Sequence, residues 1–490
     1  MKIYQEYGWL LHWLYYTALP LTILLIAFRN PQFGRRWFCG VEQRLNKIAR
    51  RPVLAAGFVG IGSLLISICI SLFLRWPLPA ITDEFAYLLA ADTFAHGRLS
   101  TPTHPMWVHF ESVQIFHQPT YGSKYHVGQS LALAVGILIS GHPIVGVWLS
   151  TALACTAVYW MLRAWVTARW ALRGGLLAVV YPLTLQWSQN FWGGAVAMLG
   201  GAMVLGALGR MMWQPSPRAA WIMGLGLAVL ANSRPFEGVV LSLFLSGALL
   251  KWMLSPVGPT LRVTAKNIVL PVSIVLLLTA GAMGFYNKKV TGSVFRLPYM
   301  VHEETYAMAP FFLWQNSRTG LTYNHEILRQ FQLEFWLKPH AEQRESFAGF
   351  AKGVGEKIQI LANTYFQLWM LAIPLLVFPW VHKTDPWLRF AVLTCGGFVL
   401  ALLMGTFIQP HYAAPAISML FVLIVRSMRY LSIWKWRGQA TGRFLARGIF
   451  IWCAASLVIS GLSFTYRTLA FDLWREFPRE RARILTELNQ

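Results

Sequence analysis

Asp83 and Glu84 stand side by side, and the loop that follows holds the kinds of residue a carboxylate pair works with. His96, His104, His109, His117, Gln118, Tyr121, Lys124, Tyr125 and His126 crowd into it. A carboxylate can take the proton of an attacking hydroxyl, and a preorganised cation can hold charge that develops on a leaving phosphate. Lys124, Arg234, His126 and His411 are the candidate cations, in that order, and His117, Gln118, Tyr125 and Tyr412 are candidate substrate contacts. Plainer roles stand beside these. Acids favour helix N-termini through the dipole, and Lys124 suits the snorkelling flank of the next helix. Arg234 and Glu237 have the i,i+3 spacing of an ion pair closing a turn. His411 and Tyr412 also fit an interfacial aromatic belt.

The elements that must position these groups are membrane helices. Of 490 residues, 56% are apolar and only 12% are charged, about half the usual soluble share. A dozen crossings of about 20 residues each would absorb most of the apolar residues. That excludes an ordinary soluble enzyme, a disordered chain and a secreted disulfide scaffold. Five cysteines, none in a CxxC or His/Cys ligand spacing, indicate neither zinc nor a disulfide framework. Residues 1–28 lack a basic start and a small-residue cleavage site and read as a retained helix. Pro77 and Pro79 end a span, Thr82 is placed to cap a new helix over about 83–96, and Gly97 is placed to end it. Phe85, Leu88, Leu89 and Phe94 make that helix one that lies along the membrane surface.

The net charge of +23 has an orientational cause. Linkers 29–51, 163–173, 210–218, 251–266, 382–389 and 426–447 hold 23 Lys/Arg against two acids, Glu42 and Asp385. Short basic loops on one face are what the positive-inside rule expects, so nucleic acid is not needed to explain the charge. The opposite face then receives two long segments, 75–126 and 286–356, and an amphipathic tail, 467–490. The expected architecture is one all-α polytopic membrane domain over 1–490 with 11 to 13 spans. Residues 127–141, too short for a full crossing, read as a re-entrant or tilted helix. Residues 323–350 read as surface helices of a loop that is either an acceptor-recognition lid or a structural cover.

Four segments, taken in order, resemble a known superfamily. TDEFAYLLAADTFAHGRL at 82–99 is similar to the Asp-Glu motif of GT-C glycosyltransferases, most of all the protein-mannosyltransferase and aminoarabinose-transferase type. KYHVGQSL at 124–131 resembles that family's Tyr-Pro-Pro-Gly-Gln-Ser-Leu-Leu segment, with Tyr-His-Val in place of Tyr-Pro-Pro. NSRPFEG at 232–238 resembles its "TRP" turn, and QPHYAAP at 409–415 a His-Tyr-x-x-Pro turn near the chain's end. The resemblance covers about 50–430.

What the resemblance implies is a transferase working on the non-cytoplasmic face of a bacterial inner membrane. It takes a hexosyl or pentosyl group from a polyprenyl-phosphate carrier to a glycan, lipid or protein hydroxyl. By the same resemblance Asp83 is general base, Glu84 its partner and Lys124 the residue on the lipid phosphate. No full metal-ligand set is evident, and a divalent ion on Asp83 and Glu84 stays open. Two other classes compete: a transporter or flippase for a lipid-linked or anionic substrate, and an accessory scaffold without activity. Transporters tend to show internal repeats and broken helices near mid-membrane. Neither repeat nor symmetry is visible here, and the polar groups gather at span ends.

Overall fold

The computed structural model describes residues 10, 13–73, 76–366, 369–470 and 473–488, with the side chains of 456–478 left aside. The chain is a helical, multi-pass membrane protein. Seven helices are long and apolar enough to cross: Pro52–Phe73, Pro143–Trp165, Ala195–Trp213, Pro235–Met253, Leu261–Thr291, Pro386–Leu403 and Pro410–Leu431. Phe347–Tyr365 with Trp369–Val381 adds an eighth as a bent pair, and Leu14–Arg29, Val127–Ser140 and Pro217–Ala231 are shorter apolar helices. The expected 11 to 13 crossings are reached only if the bent pair and the three shorter helices count, with helix Thr441–Ala470 as a twelfth.

Burial separates a centre from a rim. Pro143–Trp165, Ala195–Trp213 and Pro410–Leu431 are 72%, 78% and 78% buried, against 22–28% for the other four spans. Ala195–Trp213 packs on Pro143–Trp165, on Pro217–Ala231 and on the helix after Pro410. Small residues permit that closeness, as they do between membrane helices generally. A Cβ on Gly201 would come within 2.0 Å of the Pro415 carbonyl oxygen, and one on Gly206 within 2.2 Å of the Trp160 ring. Polar groups in this core are paired across helices. Ser71 on Pro52–Phe73 donates to Gln189 Oε1 at 2.7 Å and accepts from Trp148 Nε1 at 3.2 Å.

The two ends of the bundle differ in kind. At one end the long segments fold onto each other: Thr120 Oγ1 donates to the Val290 carbonyl at 2.8 Å, and Tyr306 Oη to Glu111 at 2.9 Å. Pro143–Trp165 starts there, where the His142 and Trp76 rings meet, and ends at Trp165, whose carbonyl accepts from Arg426 at 2.6 Å. At that second end the basic linkers hold one another. Glu42 pairs with Arg447 at 2.9 Å, and Asp385 with Arg426 at 2.6 Å.

The first long segment departs from expectation in its cap. Helix Thr82–Ala95 is entered through Ile81, and Thr82 is exposed. Glu84 does the capping, reaching back to the Ala80 and Ile81 amides at 2.8 and 3.3 Å. A two-stranded hairpin, Ile115–Phe116 with Gly122–Ser123, then leads to Lys124 and the helix Val127–Ser140. The stretch 323–350 forms Glu326–Phe331, a wider turn over Gln332–Leu337, Lys338–Glu345 and the start of Phe347–Tyr365.

Candidate active site

A cavity of about 1280 Å³ opens where the two long segments meet the membrane helices. Four separate stretches of sequence supply most of its polar wall, with Gln114 and Tyr299 beside them: Asp83 and Tyr87, then Lys124 to His126, then Arg234 and Glu237, then Gln409, His411 and Tyr412. These stretches are locked together by backbone. The Gly128 amide donates to the Asn232 carbonyl at 2.6 Å, and a Cβ on Gly128 would sit 2.7 Å from that oxygen. Only glycine lets the turn before Arg234 come this close to the helix after His126.

Asp83 is half-buried, and the Tyr125 hydroxyl donates to its Oδ1. Tyr125 stacks on Tyr87 with ring centroids 4.5 Å apart. Desolvation by burial, helped by the Asp83 charge, pushes the Tyr125 phenol well up, so it stays a donor and fixes the carboxylate. Across the cavity the Arg234 guanidinium lies 4.7 Å over the Tyr412 ring. Among the described residues it has no carboxylate within ion-pair distance, so the expected Arg234–Glu237 bridge is not formed. Glu237 nonetheless lines the same cavity.

Lys124 is a different kind of cation. It is 3% exposed and paired with Glu303 of the second long segment at 3.2 Å. The rings of Tyr299, Trp336 and Tyr125 surround its ammonium at 5.1, 5.3 and 5.7 Å. Burial alone would raise the Glu303 carboxyl, but the Lys124 charge and the His302 hydrogen bond hold it down at about 2. Lys124 is thus already neutralised, while Arg234 has no such partner.

The other expected residues divide. His126 lines the cavity against Tyr299, but enclosure, with Arg234 nearby, lowers it to about 4, so it is a neutral ring at pH 7. His411 and Tyr412 line it too. Glu84 does not: it is 4% exposed behind the wall, and besides the two capping amides its carboxylate accepts the Phe191 amide at 2.9 Å. Those three backbone donors tie Glu84 to the helix start and to the Asn190–Gly194 turn, so the expected partner of Asp83 does not share the cavity with it. His117 is buried between Trp107 and Tyr121, and Gln118 is exposed at the hairpin's tip. Neither reaches the cavity, because the hairpin carries them away from it.

The second long segment supplies lining residues that had no mark as site residues in the sequence, whereas Asn190–Gly194 was legible there either as a sugar-pocket turn or as a place of tight helix packing. Phe311, Phe312, Phe331, Phe335 and Trp336 form an apolar wall, so the second segment closes one side of the cavity. Their aromatic spacing was visible but reads equally as a membrane-surface face. Trp192 belongs to a turn whose Gly193 and Gly194 have φ of +89° and +118° and press on Gln129 and Trp187. Arg481, on the tail helix Leu473–Leu488, lies 4.4 Å over Phe85 of the cavity. No group of three or more His, Cys, Asp or Glu placed to hold a metal occurs among the described residues.

No protein-family model matches the chain, and no curated protein matches it. Among solved structures it is similar to the Archaeoglobus fulgidus oligosaccharyltransferase in its apo form, 13% identical, with a TM-score of 0.47 over 83% of this chain and 55% of that one. It is also similar to the archaeal oligosaccharyltransferase AglB from Archaeoglobus fulgidus in complex with an inhibitory peptide and a dolichol-phosphate. There the identity is 12% and the TM-score 0.39, over 82% of this chain and 56% of that one. The chain spans just over half the length of these structures.

Proposed function

We propose that the chain is a GT-C type membrane glycosyltransferase that moves a sugar from a polyprenyl-phosphate carrier to an acceptor hydroxyl. The carrying observation is that one cavity holds a carboxylate oriented by a tyrosine, Asp83 with Tyr125, and a cation, Arg234, that has no carboxylate at ion-pair distance among the described residues. In this reading the acceptor hydroxyl gives its proton to Asp83 as its oxygen bonds to the anomeric carbon. The bond from that carbon to the phosphate oxygen breaks, and the electron pair leaves with polyprenyl phosphate. Arg234, rather than the neutralised Lys124, takes the charge that develops there. A cation already in place costs no reorganisation during the reaction, which is where such groups contribute most. The aromatic wall from the second segment suits a polyprenyl tail. One displacement with one base inverts the anomeric centre. The reading sets the site on the extracytoplasmic face of a bacterial inner membrane, opposite the basic linkers. It leaves the acceptor and the hexosyl or pentosyl identity of the donor to experiment.

The test uses purified protein in nanodiscs with a panel of polyprenyl-phosphate monosaccharides and cell-envelope extract as acceptor source. Mass spectrometry follows release of polyprenyl phosphate. Asp83→Asn, matched for folding, is expected to lose at least about 100-fold in turnover. Equal release by both proteins removes Asp83 from the mechanism. No release from any donor, with the extract active in a control, overturns the reading in favour of substrate passage.

A further inference from the structure

We propose that Trp192 and His411 form a hydroxyl-recognising subsite that holds the sugar ring of the donor, an inference that rests on the lipid-linked donor reading above. Buried polar atoms nearly always find a hydrogen-bond partner. Among the described residues, three that line the cavity carry a buried side-chain atom that has none: Gln114 Oε1, Trp192 Nε1 and His411 Nδ1. Gln114 belongs to the Lys124 side of the cavity, its carbonyl accepting from the Lys124 amide at 3.2 Å. Trp192 and His411 touch each other, with ring centroids 4.9 Å apart and planes at 45°.

The two rings come from turns far apart in sequence, and both turns are held firmly. The Phe191 amide donates to Glu84 at 2.9 Å, and the Phe191 carbonyl accepts from Gln129 at 3.0 Å. The Pro410 carbonyl accepts from the Tyr365 hydroxyl at 2.6 Å. Both turns are thus tied by hydrogen bonds to neighbouring helices.

The chemistry of the unpartnered atoms selects their ligand. An indole N–H only donates, whereas an imidazole nitrogen donates or accepts according to its tautomer. A hydroxyl accepts from the first and donates to the second. A hydroxyl serves both whichever tautomer the imidazole holds, a phosphate oxygen only when the proton sits on Nδ1, and an isoprenoid chain serves neither. The subsite therefore fits a polyhydroxylated ring. Its position agrees, because Tyr412, in contact with His411 at 5.1 Å between rings, lies beneath the Arg234 guanidinium. Phosphate at Arg234 and ring hydroxyls at Trp192 and His411 are neighbours, as they are in a glycosyl phosphate. Glu84 acquires a role here too, as the residue that positions the Trp192 turn.

Binding separates the sugar from its carrier. Dissociation constants are measured in nanodiscs for polyprenyl phosphate alone and for the panel of polyprenyl-phosphate monosaccharides. Parent, Trp192→Phe and His411→Phe are compared after matching thermal stability. The parent is expected to prefer a sugar-bearing lipid over bare polyprenyl phosphate. Each variant, keeping a ring but losing a hydrogen-bonding atom, is expected to lose about fivefold of that preference while its affinity for the bare lipid stays put. Arg234→Gln is expected to weaken both lipids alike. A parent with no preference for the sugar, or variants that retain it in full, overturns the subsite and leaves the donor reading standing. A parent that binds neither kind of lipid overturns both.

Discussion

A histidine enclosed by protein resists protonation, and this holds for His126 in the cavity wall and for His302 beside Glu303, the partner of Lys124. Enclosure, with Arg234 beside it, lowers His126 to about 4, and burial, with the Lys124 charge, lowers His302 to about 4 despite Glu303. In the unfolded chain both titrate near 6.5. Between these values the unfolded state binds more protons, so stability rises with pH through the window and is lost as pH falls from about 6.5 towards 4. Glu303 acts only lower, since its depressed carboxyl withdraws stability below about 4.5. Melting temperature in detergent is therefore expected to drop between pH 7 and pH 5, with a shallower drop in His302→Gln. An unchanged slope in that variant would assign the acid sensitivity elsewhere. At this scale the motifs marked Asp83, Arg234 and Tyr412, which line one cavity, while their roles belong to the reading proposed above. The sequence did not show that Glu84 turns away, because one step along a helix rotates a side chain by about 100° and only the packed turn at Phe191 decides which acid faces in.

The helices and loops carry a bridge whose ends are 179 positions apart. Lys124 closes the hairpin segment and Glu303 lies on the helix Pro298–Tyr306, so their ion pair ties one long segment to the other. Such a contact leaves no periodic trace in sequence, which is why Lys124 read as a free phosphate ligand. Removing one partner of a buried pair strands the other charge, at a cost on the order of 3 kcal/mol. Lys124→Met is well tolerated sterically, since three aromatic rings surround the ammonium. Denaturation of Lys124→Met, Glu303→Met and the double variant is expected to show strong coupling, the double variant being far less damaged than the sum of the singles. Additive losses would mean that the two segments are held by their other contacts and that Lys124 is available to a ligand after all.

For the molecule as a whole, the charge map and the structure meet at Glu42 and Asp385. These are the two acids of the basic linkers, and both are consumed in ion pairs with Arg447 and Arg426. The linkers are thus stitched together while their surplus of arginine and lysine stays outward, where it can fix orientation across the bilayer. The cavity lies at the other end, between segments whose charges nearly cancel. A lipid-borne donor needs a cavity open on the face where its headgroup waits, so orientation is part of the chemistry. Replacing Cys39, Cys69, Cys155, Cys395 and Cys453 gives a background for single exposed cysteines at Ser317 in the second long segment and at Lys435 in a basic linker. Ser317→Cys is expected to react with a membrane-impermeant maleimide on intact spheroplasts, and Lys435→Cys only after permeabilisation. The reverse pattern would turn the molecule over, place Asp83 and Arg234 on the cytoplasmic side and require a donor presented on that leaflet.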